Sequence, residues 1–310
     1  MKGNRLFIFT FSDDMISIVM VTKELDRVDR IQKNISQTIE IPYEFIIIDN
    51  SLNDKSIFQA YNLGVIRSRF PIICFMHDDI VYHSKGWGKE VVRYFSQKNV
   101  GMIGVGGTRF LSSIPSSWWA GGHKYFSSKR GTICHNCIDT NRNNTNESKY
   151  TTINPEGTSY TKVVLVDGLW FCIPKELFGK IRFDEERYGG FHFYDLDISM
   201  QVKELNYDII CIHNIKVEHI SASKHDKKWI ENCKIFYDKW KASLPASAMR
   251  LTFKQLLTLE YFAIKIYRDY HISNKIAFSW RDLIKQISWI NFLKFHFKSL
   301  ITTYSTLFYV

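Results

Sequence analysis

Met76-His77-Asp78-Asp79 follows directly on the apolar run 70–75. Two adjacent carboxylates there concentrate charge where the chain leaves the core. In open α/β sheets, ligands bind outside the carboxyl ends of the strands. A carboxylate pair at that edge suits a hard divalent cation holding phosphate oxygens; the plain alternative is an acidic turn. Other polar groups share the setting. Asp49 closes the run 43–48, Asp195 and Asp197 open a helical stretch, and His219 follows a short apolar stretch. A carboxylate within hydrogen-bond reach of a reacting hydroxyl can take its proton. A neutral imidazole can complete a Mn2+ or Mg2+ shell. Each has a plainer alternative: a cap or turn for Asp49, N-capping of the helix 196–205 for Asp195, and a structural histidine for His219.

Such groups need elements to hold them. Residues 15–21 are rich in β-branched types and read as a strand. Leu25, Val28, Ile31 and Ile35 recur at helical spacing within 23–39. A strand over 43–48, a helix over 56–68, a strand over 70–76, a helix over 87–97 and a strand over 100–105 follow. This order, with near-continuous apolar strands, argues an α/β fold: a mostly parallel, Rossmann-like central sheet flanked by helices. The polar, Asn/Thr-rich stretch 127–156 lacks periodicity and reads as a long loop. Beyond it come a strand over 163–166 ending in Asp167-Gly168, an apolar run over 169–173 and a loop over 183–190. A helix over 194–205, short strands over 208–212 and 215–217 and a helix over 229–241 complete this part. Pro245 marks a boundary, and helices are expected over 253–270 and 281–301.

The chain of 310 residues fits one large domain, or one domain with an appendage. Lys and Arg number 41 against 31 Asp and Glu, a net +10. Nine basic and three acidic residues lie from Ser247 onward, so +6 of that excess falls at the C-terminal end. An anionic partner there, such as a membrane surface or acidic glycan, is weighed against a solvated basic face. Cys74, Cys172 and Cys211 sit in apolar runs and read as core residues. Cys134 and Cys137 form a lone C-x-x-C, which lacks the second ligand pair of a zinc site. The apolar run 6–11 is too short for a signal-peptide core, and no run of about twenty apolar residues occurs. A cytoplasmic location is expected, peripheral at the inner membrane face if the C-terminal segment binds lipid. There is no Walker phosphate loop, and the glycines at 101, 104, 106 and 107 do not form G-x-G-x-x-G.

Seven segments in order carry a resemblance. They are 46–51 ending Asp49-Asn50-Ser51, Tyr61-Asn62-Leu63-Gly64, 75–80 with His77-Asp78-Asp79, Val166-Asp167-Gly168 with Phe183-Asp184-Glu185, Tyr194-Asp195-Leu196-Asp197, and Glu218-His219. Over about 14–225 the chain resembles the family 2 glycosyltransferases, which have the A-type glycosyltransferase fold. The resemblance implies a catalytic domain over 1–245, with a nucleotide-binding half near 14–125 and an acceptor half near 126–245, and a helical extension over 246–310. It implies that Asp49 accepts a hydrogen bond from the nucleotide base. A carboxylate only accepts, which suits an imide N–H and favours UDP or dTDP. It implies that Asp79, last residue of the D-x-D motif, binds the divalent cation, with His219 completing the shell. His77 stands where the family has aspartate, and Tyr194 where it has glutamate. Asp195 is the expected base of an inverting transfer. Thr22, Asn50, Asp78, Asp167 and Gly168 are grouped with Asp49 as donor-binding residues. Trp118, Trp119 and His192, beside flexible glycines, are expected to form an acceptor platform.

The implied activity is transfer of a sugar from a nucleotide-diphosphate sugar to a surface or lipid-linked glycan, with Mn2+ or Mg2+. A nucleotidyltransferase would carry a glycine-rich loop after the first strand, where Thr22-Lys23-Glu24-Leu25 stand instead. A glycan-binding scaffold with a decayed site is the non-enzymatic alternative, suggested by His77 and Tyr194. No nucleic-acid partner is expected, since the basic excess lies outside the sheet. The C-terminal helices bind a membrane, a second subunit or the catalytic domain. Lys294 enters the apolar arc formed by Leu283, Ile287, Ile290, Leu293 and Phe297, which weakens the membrane reading.

Overall fold

The computed structural model describes residues 14–119, 131–142, 144–221 and 226–286. The chain opens with β1 (Ile16–Thr22), a β-branched run buried along nearly its whole length. A short 3-10 turn leads into α1 (Val28–Thr38), which buries Ile31 and Ile35. Then come β2 (Tyr43–Asp49), α2 (Ile57–Arg67), β3 (Ile72–Met76), β4 (Ile80–Tyr82), α3 (Trp87–Phe95) and β5 (Val100–Gly104). The middle carries β6 (Gly106–Thr108), β7 (Phe110–Leu111), β8 (Ile133–Asn141), β9 (Asn144–Ile153), β10 (Tyr160–Val163), β11 (Leu165–Val166) and β12 (Trp170–Pro174). The last part comprises α4 (Tyr194–Glu204), β13 (Asp208–Ile212), β14 (Val217–Ser221), α5 (Lys227–Trp240), β15 (Ala246–Ser247), α6 (Phe253–Ser273) and α7 (Trp280–Gln286).

Seven strands form the central sheet in the order β2–β1–β3–β12–β5–β13–β10. β1 is parallel to β2 and β3, and β13 to β5, while β12 and β10 run antiparallel to their neighbours. Five strands therefore point one way. Alternate residues face two core layers. Val19, Ile73, Phe75 and Phe171 pack beneath α2 and α4 with Phe58, Tyr61 and Phe183. Ile18, Met20, Cys74 and Trp170 pack on the other face with Ile35, Trp87 and Tyr94. Burial on both faces explains the continuous apolar strands, and each buried ring of this kind contributes roughly 1.5–3 kcal/mol. α2 starts at a capping box in which Ser56 and Gln59 exchange side-chain-to-backbone hydrogen bonds.

The smaller second sheet has the order β11–β6–β8–β14–β4, with β9 paired to β8. It corrects the expected loop over 127–156, most of which is the β8–β9 hairpin. Asn and Asp are poor strand formers, but here the polar side chains have lateral partners. Asn136 Nδ2 donates to the Ile215 carbonyl at 2.7 Å, Tyr150 Oη donates to Asn136 Oδ1 at 2.9 Å, and Thr140 Oγ1 donates to Glu218 at 2.6 Å. Cys134 and Cys137, three apart on β8, join opposite core layers and cannot share one ion.

Past Pro245 the chain returns to the body. β15 pairs with β7, and α6 lays Leu256 and Leu259 on Phe110. Among the described residues the C-terminal helices thus pack on the body that carries the two sheets, in line with one of the expected alternatives. The second helix is described only as far as Gln286; residues 287–310, with Lys294 and Phe297, lie outside the described residues. No helix among the described residues is long and apolar enough to cross a membrane. The α6 interface contains one buried carboxylate. Glu260 accepts from Ser112 Oγ and from the backbone N–H and hydroxyl of Ser113.

Burial pushes Glu260 up to about 7 against these bonds. In the unfolded chain it titrates near 4.5. Between those values the folded state binds the extra proton, so Glu260's stabilising contribution is full below the lower value and falls as pH rises through the upper one. Glu260→Gln is expected to flatten this part of the stability–pH curve, read as the difference in Tm between wild type and variant from pH 4 to 8. A constant difference would remove Glu260 from the effect.

Candidate active site

β3 leaves the core at Met76, and the chain turns through His77, Asp78 and Asp79 into β4. Antiparallel pairing of β4 with β14 sets His219 opposite Ile80, and Ile220 N–H donates to the Asp79 carbonyl at 3.0 Å. Register alone therefore brings His219 beside Asp79. Asp79 Oδ1 lies 3.4 Å from His219 Nε2 and 3.9 Å from His77 Nδ1, and those two nitrogens are 3.4 Å apart. Oδ1 is buried without a hydrogen-bond partner among the described residues. Neighbouring ligands of an octahedral ion at about 2.1 Å stand about 3 Å apart. One orphaned carboxylate oxygen facing two imidazole nitrogens at nearly that spacing fits a divalent cation. His77 is thus placed with Asp79 and His219.

The surroundings set the protonation of the three groups. Burial opposes ionisation of Asp79, but His219, His77 and Arg142 together hold its pKa below the ordinary carboxylate range. Burial likewise opposes a charge on His219, yet Asp79 outweighs it and raises the pKa. Burial and then His219 push His77 down, towards the neutral ring. His77 Nε2 lies 2.7 Å from Tyr194 Oη. With that proton donated to Tyr194, Nδ1 offers its lone pair to the cluster, the usual arrangement of a metal-ligating histidine. Asp78 faces elsewhere. It accepts from Thr22 Oγ1 at 2.6 Å and pairs with Arg27 at 3.8 Å, tying the turn to the end of β1.

Asp195 stands in the first turn of α4, behind Phe193, whose φ of 71° is uncommon for a residue with a side chain. Trp229 and Phe236 hold the Phe193 ring at 5.3 and 5.5 Å. Asp195 is not the helix cap. Its carboxylate accepts from Gly168 N–H at 2.9 Å and Leu196 N–H at 3.0 Å. Burial and then the Asp167 charge push it up to about 7, against those bonds. The turn at Asp167 is stitched on both sides: Asp167 N–H donates to Gly106, and His77 N–H to the Leu169 carbonyl. A Cβ on Gly168 would stand 2.1 Å from Tyr194 Oη, so Tyr194 already occupies the approach that the missing side chain opens.

Asp49 is exposed at the end of β2, where the Ser51 N–H holds its pKa down. The Asn50 side chain bonds the Lys55 backbone at 2.9 and 3.1 Å and holds the loop that carries Asp49. Asp197 is buried and paired, with Lys239 at 2.8 Å and the Trp240 indole at 2.8 Å. His192 turns towards Asp226 at 3.5 Å, while Phe191, 49% exposed, faces His77 with ring centroids 5.3 Å apart. Phe191 is thus an exposed ring at the site, beside the buried Tyr194. Trp118 packs against the core and lines a small cavity with Phe110 and Leu259; Trp119 N–H donates to Ser117 Oγ. Gly121 and Gly122 lie outside the described residues.

Arg142 was not anticipated. It follows β8, donates from Nη2 to Asp79 Oδ2 at 2.6 Å and from Nε to the Ile220 carbonyl at 3.2 Å. The β-forming run Tyr150-Thr151-Thr152-Ile153 was the available signal that this stretch is a hairpin.

A family model described as "Glycosyltransferase like family" matches residues 15–240. Among solved structures, the mannosyltransferase PcManGT from Pyrobaculum calidifontis, in complex with GDP-Man and Mn2+, aligns with a TM-score of 0.50. It is 11% identical, and the match covers 88% of this chain and 78% of that one. GalNAc-T7 with UDP, GalNAc and Mn2+ aligns with a TM-score of 0.46 and 11% identity over 84% of this chain, and the match spans 57% of GalNAc-T7. No curated protein matches the chain. The likeness to PcManGT bears out the expected A-type glycosyltransferase fold.

The site predicts direct metal binding. Mn2+ titrated into the full chain should bind by calorimetry. Asp79→Ala should abolish binding, and His219→Ala should weaken it strongly. Tyr194→Phe, which frees the His77 ring, should weaken it about 10-fold. Unchanged Mn2+ affinity in Asp79→Ala would remove the site.

Proposed function

This chain belongs to the glycosyltransferase-like family, and we propose that it is a metal-dependent, inverting glycosyltransferase acting from a nucleotide-diphosphate sugar on a glycan acceptor. One observation carries the reading. The buried Asp79 oxygen, which has no hydrogen bond among the described residues, faces two imidazoles, and one of these, His77, connects through Tyr194 to the start of the helix bearing Asp195. A cation site and a candidate base thus stand on adjoining segments at one sheet edge.

Asp79, His219 and His77 would hold the cation, which supplies charge neutralisation for the departing diphosphate. Asp195 is the base. The acceptor oxygen forms its bond to the anomeric carbon as the bond to the diphosphate oxygen breaks. That electron pair leaves with the diphosphate, and the acceptor proton passes to Asp195. A base poised near neutral pH is matched to this task, and Asp195 sits at about 7. Its two N–H bonds leave lone pairs for the acceptor, since a carboxylate offers about four acceptor positions.

Asp49 and the loop held by Asn50 would take the nucleotide base, with an imide N–H favouring UDP or dTDP. Thr22 and Asp78 brace the turn between them, and Asp167 would meet sugar hydroxyls. The exposed Phe191 ring supports an acceptor sugar stacked above His77. The basic excess after Ser247 supports an acidic or lipid-linked glycan acceptor, with the enzyme peripheral at a membrane surface.

Asp195→Asn should lower kcat by about 10²- to 10⁴-fold while Mn2+ affinity stays unchanged. The wild-type rate should rise with pH through about 7, because the base must lose its proton, and the residual rate of the variant should be flat there. Donor preference is read from a panel of nucleotide sugars with Mn2+ and Mg2+, and inversion from the anomeric configuration of the product by NMR. Full activity in Asp195→Asn would take the base role away from this residue.

A further inference from the structure

We infer that Arg142, delivered by the β8–β9 hairpin, is a diphosphate-binding residue of the donor site. The inference rests on the proposed nucleotide-sugar site and adds a residue and a role to it.

The two oxygens of Asp79 face different partners. Oδ1 faces the imidazoles, and Oδ2 accepts from Arg142 Nη2 at 2.6 Å. The guanidinium therefore stands one carboxylate width from the point where a cation fits. Phosphate oxygens bound to that cation would lie within its reach. The fold fixes this placement. β8 runs parallel to β14 with Asn141 opposite Ser221, so Arg142 leaves the sheet at the same edge as His219. Its Nε bond to the Ile220 carbonyl at 3.2 Å ties it to the residue after His219.

The chemistry suits a phosphate ligand better than a permanent ion pair. A guanidinium carries five donors in a planar fork that matches phosphate oxygens in bidentate geometry. The contacts to Asp79 and Ile220 use two of those donors, and the Arg142 side chain is 40% exposed. A cation on Asp79 weakens the hold of that carboxylate on Arg142. The arginine then meets a diphosphate whose charge grows as the bond to the sugar breaks. In the cation's absence the same arginine offsets the Asp79 charge, so the site stays assembled in both states.

The experiment uses the full chain in saturating Mn2+, with UDP and UMP as probes and GDP and GMP as the second pair. Arg142→Gln should weaken nucleoside diphosphate binding about 10- to 100-fold and monophosphate binding less than about 3-fold, with Mn2+ affinity unchanged or tighter. Arg142→Lys, which keeps the charge but not the fork, should fall between. Melting curves of both variants establish that they fold. Equal losses for Mn2+, diphosphate and monophosphate would make Arg142 a structural clamp and overturn the inference. Unchanged diphosphate binding in folded Arg142→Gln and Arg142→Lys would also overturn it while leaving the donor site standing. A wild-type protein that binds neither diphosphate in Mn2+ would instead overturn the donor site itself, and this inference with it.

Discussion

Burying one oxygen of Asp79 without a hydrogen bond costs free energy, and the surrounding structure is arranged to offset it. An isolated buried carboxylate would take up a proton. Asp79 is kept ionised because two imidazoles stand on one side of it and a guanidinium on the other. None of these partners is close in sequence except His77. His219 arrives by the register of β14 against β4, and Arg142 by the register of β8 against β14. The second sheet therefore brings two chain segments to the turn that follows a strand of the first. Its polar lateral bonds at Asn136 and Thr140 fix that register, since a slip of one residue would turn each side chain to the opposite face.

The segment leading into α4 is held by a second buried charge cluster of a different kind. Lys239 bridges Asp184 and Asp197, which also accept from Arg187, Tyr188, Gln201 and the Trp240 indole. Every carboxylate there is paired and hydrogen-bonded, so the cluster is a clamp. Removing one partner of such a set is strongly destabilising, while the intact set adds little net stability. It binds α5 to the segment that carries Phe191 and Asp195. Asp79 and Asp195 differ from this cluster: Asp79 keeps one oxygen without a hydrogen bond among the described residues, and burial pushes Asp195 up to about 7.

Much of the first part of the chain was legible in the sequence because β1 and β3 are buried along nearly their whole length and the edge strand β2 is apolar at most positions. Apolar runs at β1, β2 and β3 mark their own ends; Thr22 and Asp49 close the first two, and Asp79 lies in the turn just beyond the third. The readable order of strands did not reveal that β12 runs antiparallel between β3 and β5, because neighbours in a sheet are set by tertiary pairing and local pattern is silent on it. The β8–β9 hairpin was missed for the opposite reason. Its residues are polar, and they become strand only through partners at Ile215 and Glu218. With the hairpin went Arg142. Asp195 and His219 were singled out through the family pattern, and strand register and burial explain where they stand. Trp118, grouped with the acceptor residues by its neighbouring glycines, packs on the core.

The two departures from the family pattern, His77 for aspartate and Tyr194 for glutamate, are best understood together. Their side chains meet at 2.7 Å. Two carboxylates at that distance in a buried setting could not both ionise and would have to share a proton. A neutral imidazole and a phenol at the same separation form a hydrogen bond with no net charge. Burial holds Tyr194 in its protonated form and favours the neutral His77 ring. The pair also explains Gly168, since the Tyr194 hydroxyl needs the space that any side chain there would fill. A site losing its function would be expected to accumulate substitutions that leave neighbours unsatisfied. Here each departure satisfies the other, and together they leave His77 Nδ1 facing Asp79 and His219. The same pair links that position to Asp195, through one peptide bond, so the features that first suggested a decayed site are those that join its two halves.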